Sequence, residues 1–250
     1  MTSTIYEPRG RAREYAALAC NVYAGCDHAC TYCYAPSATF KQREAFINSK
    51  PRKDIIQNIR KEAKNWTGAK DQVLLCFTCD PYQKLDEELK LTRQAIIALH
   101  DHGFPVCTLT KGGSRALRDM DLFGPLDAFA TTMTFINVKD SLEWEPGAAL
   151  PEDRMSTLEQ FYRKGITTWV SLEPTIDPKQ SLEIIRQTYH YVDLYKIGKL
   201  NYHPLSKTID WKKYTAQAVE LVSGFGRDYI VKDDLAQFVP PGMPQRTKPA

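Results

Sequence analysis

Three cysteines, Cys26, Cys30 and Cys33, stand in C-x3-C-x2-C spacing within Cys26-Asp27-His28-Ala29-Cys30-Thr31-Tyr32-Cys33. Thiolates this close together can wrap one metal centre, and a 4Fe-4S cube held by only three of them keeps one iron open to a further ligand. A zinc knuckle is the alternative. It needs a fourth ligand, which His28 could supply, but zinc sites more often pair their cysteines as two C-x2-C units. Four further cysteines, Cys20, Cys76, Cys79 and Cys107, bring the total to seven. That odd number does not read as a disulfide framework. Free cysteines are usually small buried hydrophobes, and a second cluster on Cys76 and Cys79 would need Cys20 or Cys107 as well.

The elements that must carry this loop follow from the apolar pattern. Short apolar runs alternate with longer amphipathic stretches, the signature of a parallel α/β domain. The stretch before the cysteines reads as a first strand, followed by Val73 to Phe77, Val106 to Leu109, Phe129 to Phe135, Thr168 to Leu172, Leu194 to Ile197 and Asp228 to Val231. Between them, helical spacing predicts crossovers starting near Pro51 with Ile55, Ile56, Ile59 and Ala63 on its buried stripe, and over Asp86 to Leu99. Further helices are expected over Arg115 to Leu122, from Pro151 to Gly165, over Gln180 to Tyr189 and over Trp211 to Val222. In a parallel sheet or barrel the carboxyl ends of the strands carry the site.

At 250 residues and 43% hydrophobic, the chain can form one sizeable core, and residues 1–239 read as a single domain. Pro240, Pro241, Pro244 and Pro249 mark 240–250 as a flexible, proline-rich tail. No apolar run approaches a bilayer span and the first residues lack a signal peptide's apolar segment, so a cytoplasmic protein with no membrane partner is expected. The net charge of +3, from 33 basic and 30 acidic residues, is too small to imply a polyanion partner by itself. Lys41, Arg43, Lys50, Arg52 and Lys53 nevertheless crowd one stretch behind the cysteines, either as a solvated face or as a phosphate-binding rim.

The cysteine spacing, with Tyr32 one residue before the last cysteine, resembles the signature of the radical S-adenosylmethionine enzymes. Further blocks resemble the spore photoproduct lyase branch and its DNA repair photolyase relatives: Asn21-Val22-Tyr23-Ala24-Gly25-Cys26, Cys33-Tyr34-Ala35, Asp80-Pro81-Tyr82-Gln83, Thr110-Lys111, Glu145-Pro146-Gly147 with Pro151 and Arg154, and Gly165-Ile166. The resemblance covers roughly residues 20 to 200, and the chain is shorter than a full spore photoproduct lyase. It implies an α/β fold of about six strand–helix units, a partial (β/α)6 TIM-like barrel.

The resemblance also implies a 4Fe-4S cluster on Cys26, Cys30 and Cys33, and S-adenosylmethionine cleaved by one electron into methionine and a 5'-deoxyadenosyl radical. Asp80 and Lys111, after the second and third strands, are then candidates for the cofactor's ammonium and carboxylate. Tyr32 is a candidate to pack beside the adenine, with Tyr34 next to it. Thr134, Ser171 and Glu173, at later strand ends, are candidate ribose or substrate contacts. Tyr82, Lys199 and Asn201 are candidate substrate contacts, and Phe40, Tyr82 or Phe135 could stack on an extruded base. Cys79, or else Cys76, corresponds to a cysteine that returns hydrogen to the product radical. The implied activity is hydrogen abstraction from a thymine-derived or modified pyrimidine base in DNA, by a lyase or a base-modifying isomerase. A radical enzyme for a small molecule or peptide, and a non-catalytic iron-sulfur electron-transfer protein, are the alternatives. The implied partners are an external one-electron reductant such as flavodoxin or ferredoxin, and DNA.

Overall fold

The apolar runs become seven strands: β1 (Leu18–Cys20), β2 (Val73–Leu75), β3 (Val106–Thr110), β4 (Ala128–Thr132), β5 (Thr167–Leu172), β6 (Leu194–Ile197) and β7 (Asp228–Val231). The computed structural model describes residues 3–243. It joins the strands in chain order in one sheet whose pairings are all parallel. Parallel neighbours need a crossover, and here the main ones are Ile55–Lys64, Leu91–His100, Pro151–Arg163, Pro178–Thr188 and Trp211–Gly224. A sheet in sequential order with its helices on one face is the curled sheet of a partial (β/α) barrel.

Alternation along the strands sorts side chains between two faces. Val73, Leu75, Val106, Phe129, Val170, Tyr195 and Ile197 face the helices in the large core. Ala19, Leu74, Cys107, Ala128, Ala130 and Trp169 form a second, smaller cluster on the inner face. The inner residues are mostly small, which leaves room in the lumen.

Residues ahead of β1 fill much of that room. Tyr6 and Ala19 exchange main-chain hydrogen bonds of 3.0 and 2.9 Å along the free edge of β1. The 3-10 turn Gly10–Glu14 then reaches the far edge of the sheet, beyond β7. There Arg11 pairs with Asp234 at 2.8 Å, Glu14 accepts from the Asp233 N–H at 3.1 Å, and Lys232 lies 3.8 Å from Glu14. The two ends of the sheet are thus laced together by the amino-terminal segment.

Several boundaries differ from the sequence expectation. The helix expected over Asp86 to Leu99 is two helices, Lys84–Leu89 and Leu91–His100, parted at Lys90, whose φ is 50°. The buried Asp86 carboxylate enforces the break by accepting from the Thr92 N–H at 3.0 Å. Pro51 does not open a helix; with Lys50 it pairs antiparallel to Tyr23–Ala24, and the helix starts at Ile55. Residues Gly113–Leu122 form a 3-10 helix, and the strand expected through Phe135 stops at Thr132. After β7, Phe238, Val239 and Met243 pack on the core. Pro244 and Pro249 of the expected tail lie outside the described residues. Among those residues no helix is long and apolar enough to cross a membrane.

Candidate active site at the cysteine loop

The cysteine loop leaves the carboxyl end of β1 and is gripped along its backbone. The Cys26 N–H donates to Phe46 O at 3.0 Å, and Arg43 donates to the carbonyls of Cys30 (2.7 Å), Thr31 (2.7 Å) and Cys33 (3.5 Å). Asp27 accepts from the N–H groups of Lys84 (3.2 Å) and Leu85 (3.1 Å), capping the helix that follows β2. The segment after β4 closes on the loop from another direction: the Thr31 N–H donates to Trp144 O at 2.8 Å and the Gly147 N–H to His28 O at 3.0 Å. A Cβ at Gly147 would stand 2.4 Å from Asp27 O, so only glycine permits this approach. Cys30 is buried and Cys26 and Cys33 are half-buried. Burial pushes the Cys30 thiol up to about 12, with Lys111 opposing.

Asp80 lies beneath the loop. Its carboxylate accepts from the Thr110 hydroxyl (2.6 Å) and from the N–H groups of Lys111 (2.7 Å) and Tyr82 (2.8 Å), and it lies 3.4 Å from His28 Nδ1. Against the cost of burial, His28 and these donors hold the Asp80 carboxyl below its ordinary range. Burial pulls the His28 imidazole down to about 4, with Asp80 opposing. His28 is therefore a neutral ring facing a carboxylate, with Nε2 buried and unpartnered. Among the described residues no three His, Cys, Asp or Glu side chains close on a point fit for a single metal ion.

Tyr32 turns toward β4. Its hydroxyl donates to Glu145 and lies 3.1 Å from the Thr134 hydroxyl. Glu145 in turn holds Arg154 at 2.6 Å, both side chains being fully buried, and Arg154 also donates to Ala149 O (2.8 Å) and Thr132 O (3.1 Å). The Lys111 ammonium sits 5.5 Å from the centre of the Tyr32 ring. Burial works against its charge, but Cys30 and Glu145 hold its pKa above the ordinary lysine value. No carboxylate lies within ion-pair distance of Lys111 among the described residues, so a cation remains free to meet an anionic ligand beside Cys30.

The second cysteine group lies across the loop. Asn21 Oδ1 accepts from the N–H groups of Phe77 and Thr78, both at 2.8 Å, and from the Cys79 thiol at 3.9 Å, while its amide donates to Tyr6 at 2.8 Å. Cys76 and Cys79 are both buried and lie next to one another. The Tyr34 hydroxyl donates to Phe77 O at 3.3 Å and senses Cys33, Tyr6, Glu173 and Cys79. With its ring 53% exposed, Tyr34 stands at the mouth and not in the core.

The β5–β7 side of the lumen is charged and buried. The Tyr15 hydroxyl donates to Glu173 at 2.6 Å and lies 3.0 Å from Ser171. Lys232 lies over the Tyr15 ring (3.3 Å) and 3.7 Å from Glu173. Lys196 donates to Tyr15 O at 2.8 Å and lies 4.0 Å from the Trp169 ring centre. Burial pulls Lys196 down to about 8. Gly198 lets Glu173 approach, since a Cβ there would stand 2.8 Å from its carboxyl carbon.

The remaining sequence candidates scatter. Tyr82 is 1% exposed and lies beneath Arg118, and Phe135 is buried, so neither offers a stacking face at the surface. Phe40 is 98% exposed. Asn201 donates to Lys199 O at 3.3 Å in the segment after β6. The structure adds residues not singled out as site residues: Asn21, Arg43, Tyr15, Lys196 and Lys232. Asn21 and Arg43 lay inside noted stretches, but most of their partners are main-chain atoms of other segments, which no residue pattern displays.

This site suits the cluster inferred from the spacing. Its loop carbonyls and N–H groups are engaged by protein partners, its three sulfurs are left as ligands, and the unpaired Lys111 ammonium faces the same place. A family model described as the radical SAM superfamily matches residues 20–192, and the chain belongs to that superfamily. It is a radical enzyme whose cofactors are a 4Fe-4S cluster and S-adenosylmethionine, and it requires an external reductant. It is 28% identical over 205 residues to the uncharacterized protein MJ0683 of Methanocaldococcus jannaschii, covering 79% of this chain and 74% of that one. To the uncharacterized protein Rv2578c of Mycobacterium tuberculosis it is 27% identical over 175 residues, covering 62% of this chain but only 48% of that protein. Among solved structures, spore photoproduct lyase complexed with dinucleoside spore photoproduct superimposes with a TM-score of 0.69 at 13% identity, over 92% of this chain and 79% of that one. SuiB of Streptococcus suis bound to S-adenosylmethionine gives 0.63 at 13% identity, over 88% and 51%.

Proposed function

We propose that this enzyme abstracts hydrogen from a thymine-derived or modified pyrimidine base in DNA, as a repair lyase or base-modifying isomerase. The observation that carries this reading is that the Cys79 thiol and the Tyr34 hydroxyl meet one short segment behind the cysteine loop: Asn21 Oδ1 accepts from Cys79 and from the Phe77 N–H, and Tyr34 donates to Phe77 O. The cofactor pair supplies a 5'-deoxyadenosyl radical when bound. Cys26, Cys30 and Cys33 hold the cluster, Lys111 pairs with the cofactor's carboxylate, and Tyr32, fixed by Glu145 and Thr134, packs beside its adenosyl part. Asp80 reaches the cofactor through the Thr110–Lys111 turn that it anchors. Cys79, buried beside Cys76, supplies the thiol hydrogen to return to a product radical.

Ser171 and Glu173, joined through the Tyr15 hydroxyl, are the substrate-side contacts opposite, with Lys199 and Asn201 in the segment after β6 as further ones. Tyr34 at the mouth and the 91% exposed Tyr202 offer aromatic faces to a base drawn from its stack. The kinship in fold with a lyase solved with a dinucleoside photoproduct supports the choice of substrate. A cytoplasmic setting, with flavodoxin or ferredoxin as the reductant, goes with this reading.

The test is anaerobic 5'-deoxyadenosine formation with damaged thymine-containing DNA, free nucleosides and peptides in parallel. Stimulation by the DNA alone is expected, and stimulation by peptide or a small metabolite alone would reject the substrate. Replacing Cys79 with alanine is expected to preserve cofactor cleavage and redistribute products; an unchanged product profile would remove Cys79 from the reaction.

A further inference from the structure

Residues 41–54 hold five basic side chains, Lys41, Arg43, Lys50, Arg52 and Lys53, against two acidic ones, Glu44 and Asp54. The formal charge of the whole chain is +3, so this one excursion carries all of the excess and the rest of the chain is balanced. None of the five makes an ion pair among the described residues. Several arginines elsewhere are neutralised: Arg93 and Arg118 pair with Asp121, Asp119 and Asp86, and Arg154 with Glu145. Lys41, Lys50, Arg52 and Lys53 are exposed, and Phe40, beside them in the chain, is 98% exposed.

The excursion is also the outer wall of the cysteine loop. Arg43 donates directly to the carbonyls of Cys30, Thr31 and Cys33, Phe46 accepts from the Cys26 N–H, and Arg52 donates to Tyr23 O at 3.0 Å. The half-buried Arg43 side chain thus runs from this face to the carbonyls of Cys30 and Cys33. Substrate has a different approach, through the lumen mouth at Tyr34 and Glu173.

We infer that the face formed by residues 40–53 is the docking surface for the electron donor, a small acidic one-electron carrier protein. An unpaired basic patch over the redox centre steers an acidic partner and shortens the path for the electron. The inference rests on the superfamily's need for an external reductant, and is independent of the DNA reading because its test contains no substrate.

Reduced flavodoxin, a small acidic flavoprotein, serves as the probe, and bleaching of the reconstituted cluster is followed by stopped flow. The triple variant K41E/K50E/K53E is expected to lower the second-order reduction rate by about tenfold at low ionic strength, with the gap closing at high salt. Reduction by dithionite should proceed at the wild-type rate. Flavodoxin binding to the cluster-free protein, measured by calorimetry, should weaken in parallel. Equal rates for the two proteins at low salt would overturn the inference. So would unchanged reduction by flavodoxin together with weakened binding of duplex DNA, which would give this face to the substrate.

Discussion

The two sides of the barrel handle buried charge in opposite ways. On the cysteine side, Asp80 and Arg154 are fixed by main-chain groups and close partners, and Glu145 has both a guanidinium and a phenol. On the β5–β7 side, Lys232 is shared loosely between Glu14 and Glu173 at 3.8 and 3.7 Å, and Lys196 has a carbonyl and the Tyr15 and Trp169 rings but no carboxylate within ion-pair distance among the described residues. Tight, redundant contacts suit a site that must hold a cofactor in one pose, whereas loosely compensated charge suits a surface whose partner arrives from outside.

The sharpest way to break this contrast is at the cysteines. Alanine at Cys26, Cys30 or Cys33 is expected to abolish both iron-sulfur absorbance and 5'-deoxyadenosine formation; a brown, active variant would remove the loop from the chemistry. Next in size is the comparison of buried carboxylates. Glu145→Gln strands Arg154 and should cost about 3–5 kcal/mol in chemical denaturation, whereas Glu173→Gln leaves Lys232 with Glu14 and should cost less than half as much. Equal losses would erase the distinction.

Lys111→Met is expected to weaken S-adenosylmethionine binding about tenfold with cluster content unchanged, the worth of one charge-assisted contact. Lys232→Met should leave that affinity alone, and calorimetry on both variants checks it. The smallest effect concerns pH. Burial holds Lys196 at about 8, below its unfolded value, so between these pH values the unfolded chain binds more protons and stability rises as pH rises. Lys196→Met should remove that rise and leave the variant more stable at pH 7; denaturation midpoints from pH 7 to 10 decide it.

Much of the cysteine side was legible because the residues that form its loop are neighbours in the chain. The C-x3-C-x2-C triplet and Tyr32 lie in one octet, and Thr110-Lys111 and Glu145-Pro146-Gly147 mark the segments that close on it. The strand order followed from apolar runs, and Asp228 to Val231 supplied the seventh strand where about six units were expected. What stayed hidden depends on contacts between distant segments. Asp80 reads as a free carboxylate at a strand end until His28 and Thr110 are folded against it. Lys196 reads as one polar residue in an apolar run, and only the inner face of the sheet makes it a buried cation. Tyr15 precedes every motif, yet it reaches Ser171 and Glu173 across the lumen.

Gly147 has a consequence for biogenesis. Synthesis proceeds from the amino terminus and segments fold as they emerge, so the three cysteines leave the ribosome more than a hundred residues before the Gly147 backbone and the Glu145–Arg154 pair that brace them. Through that interval the nascent loop has Arg43, Phe46 and the helix start at Lys84 to hold it, but not its last wall. Iron and sulfide delivered before residue 154 has emerged would meet a socket still open on one side, which favours completing the cluster after translation.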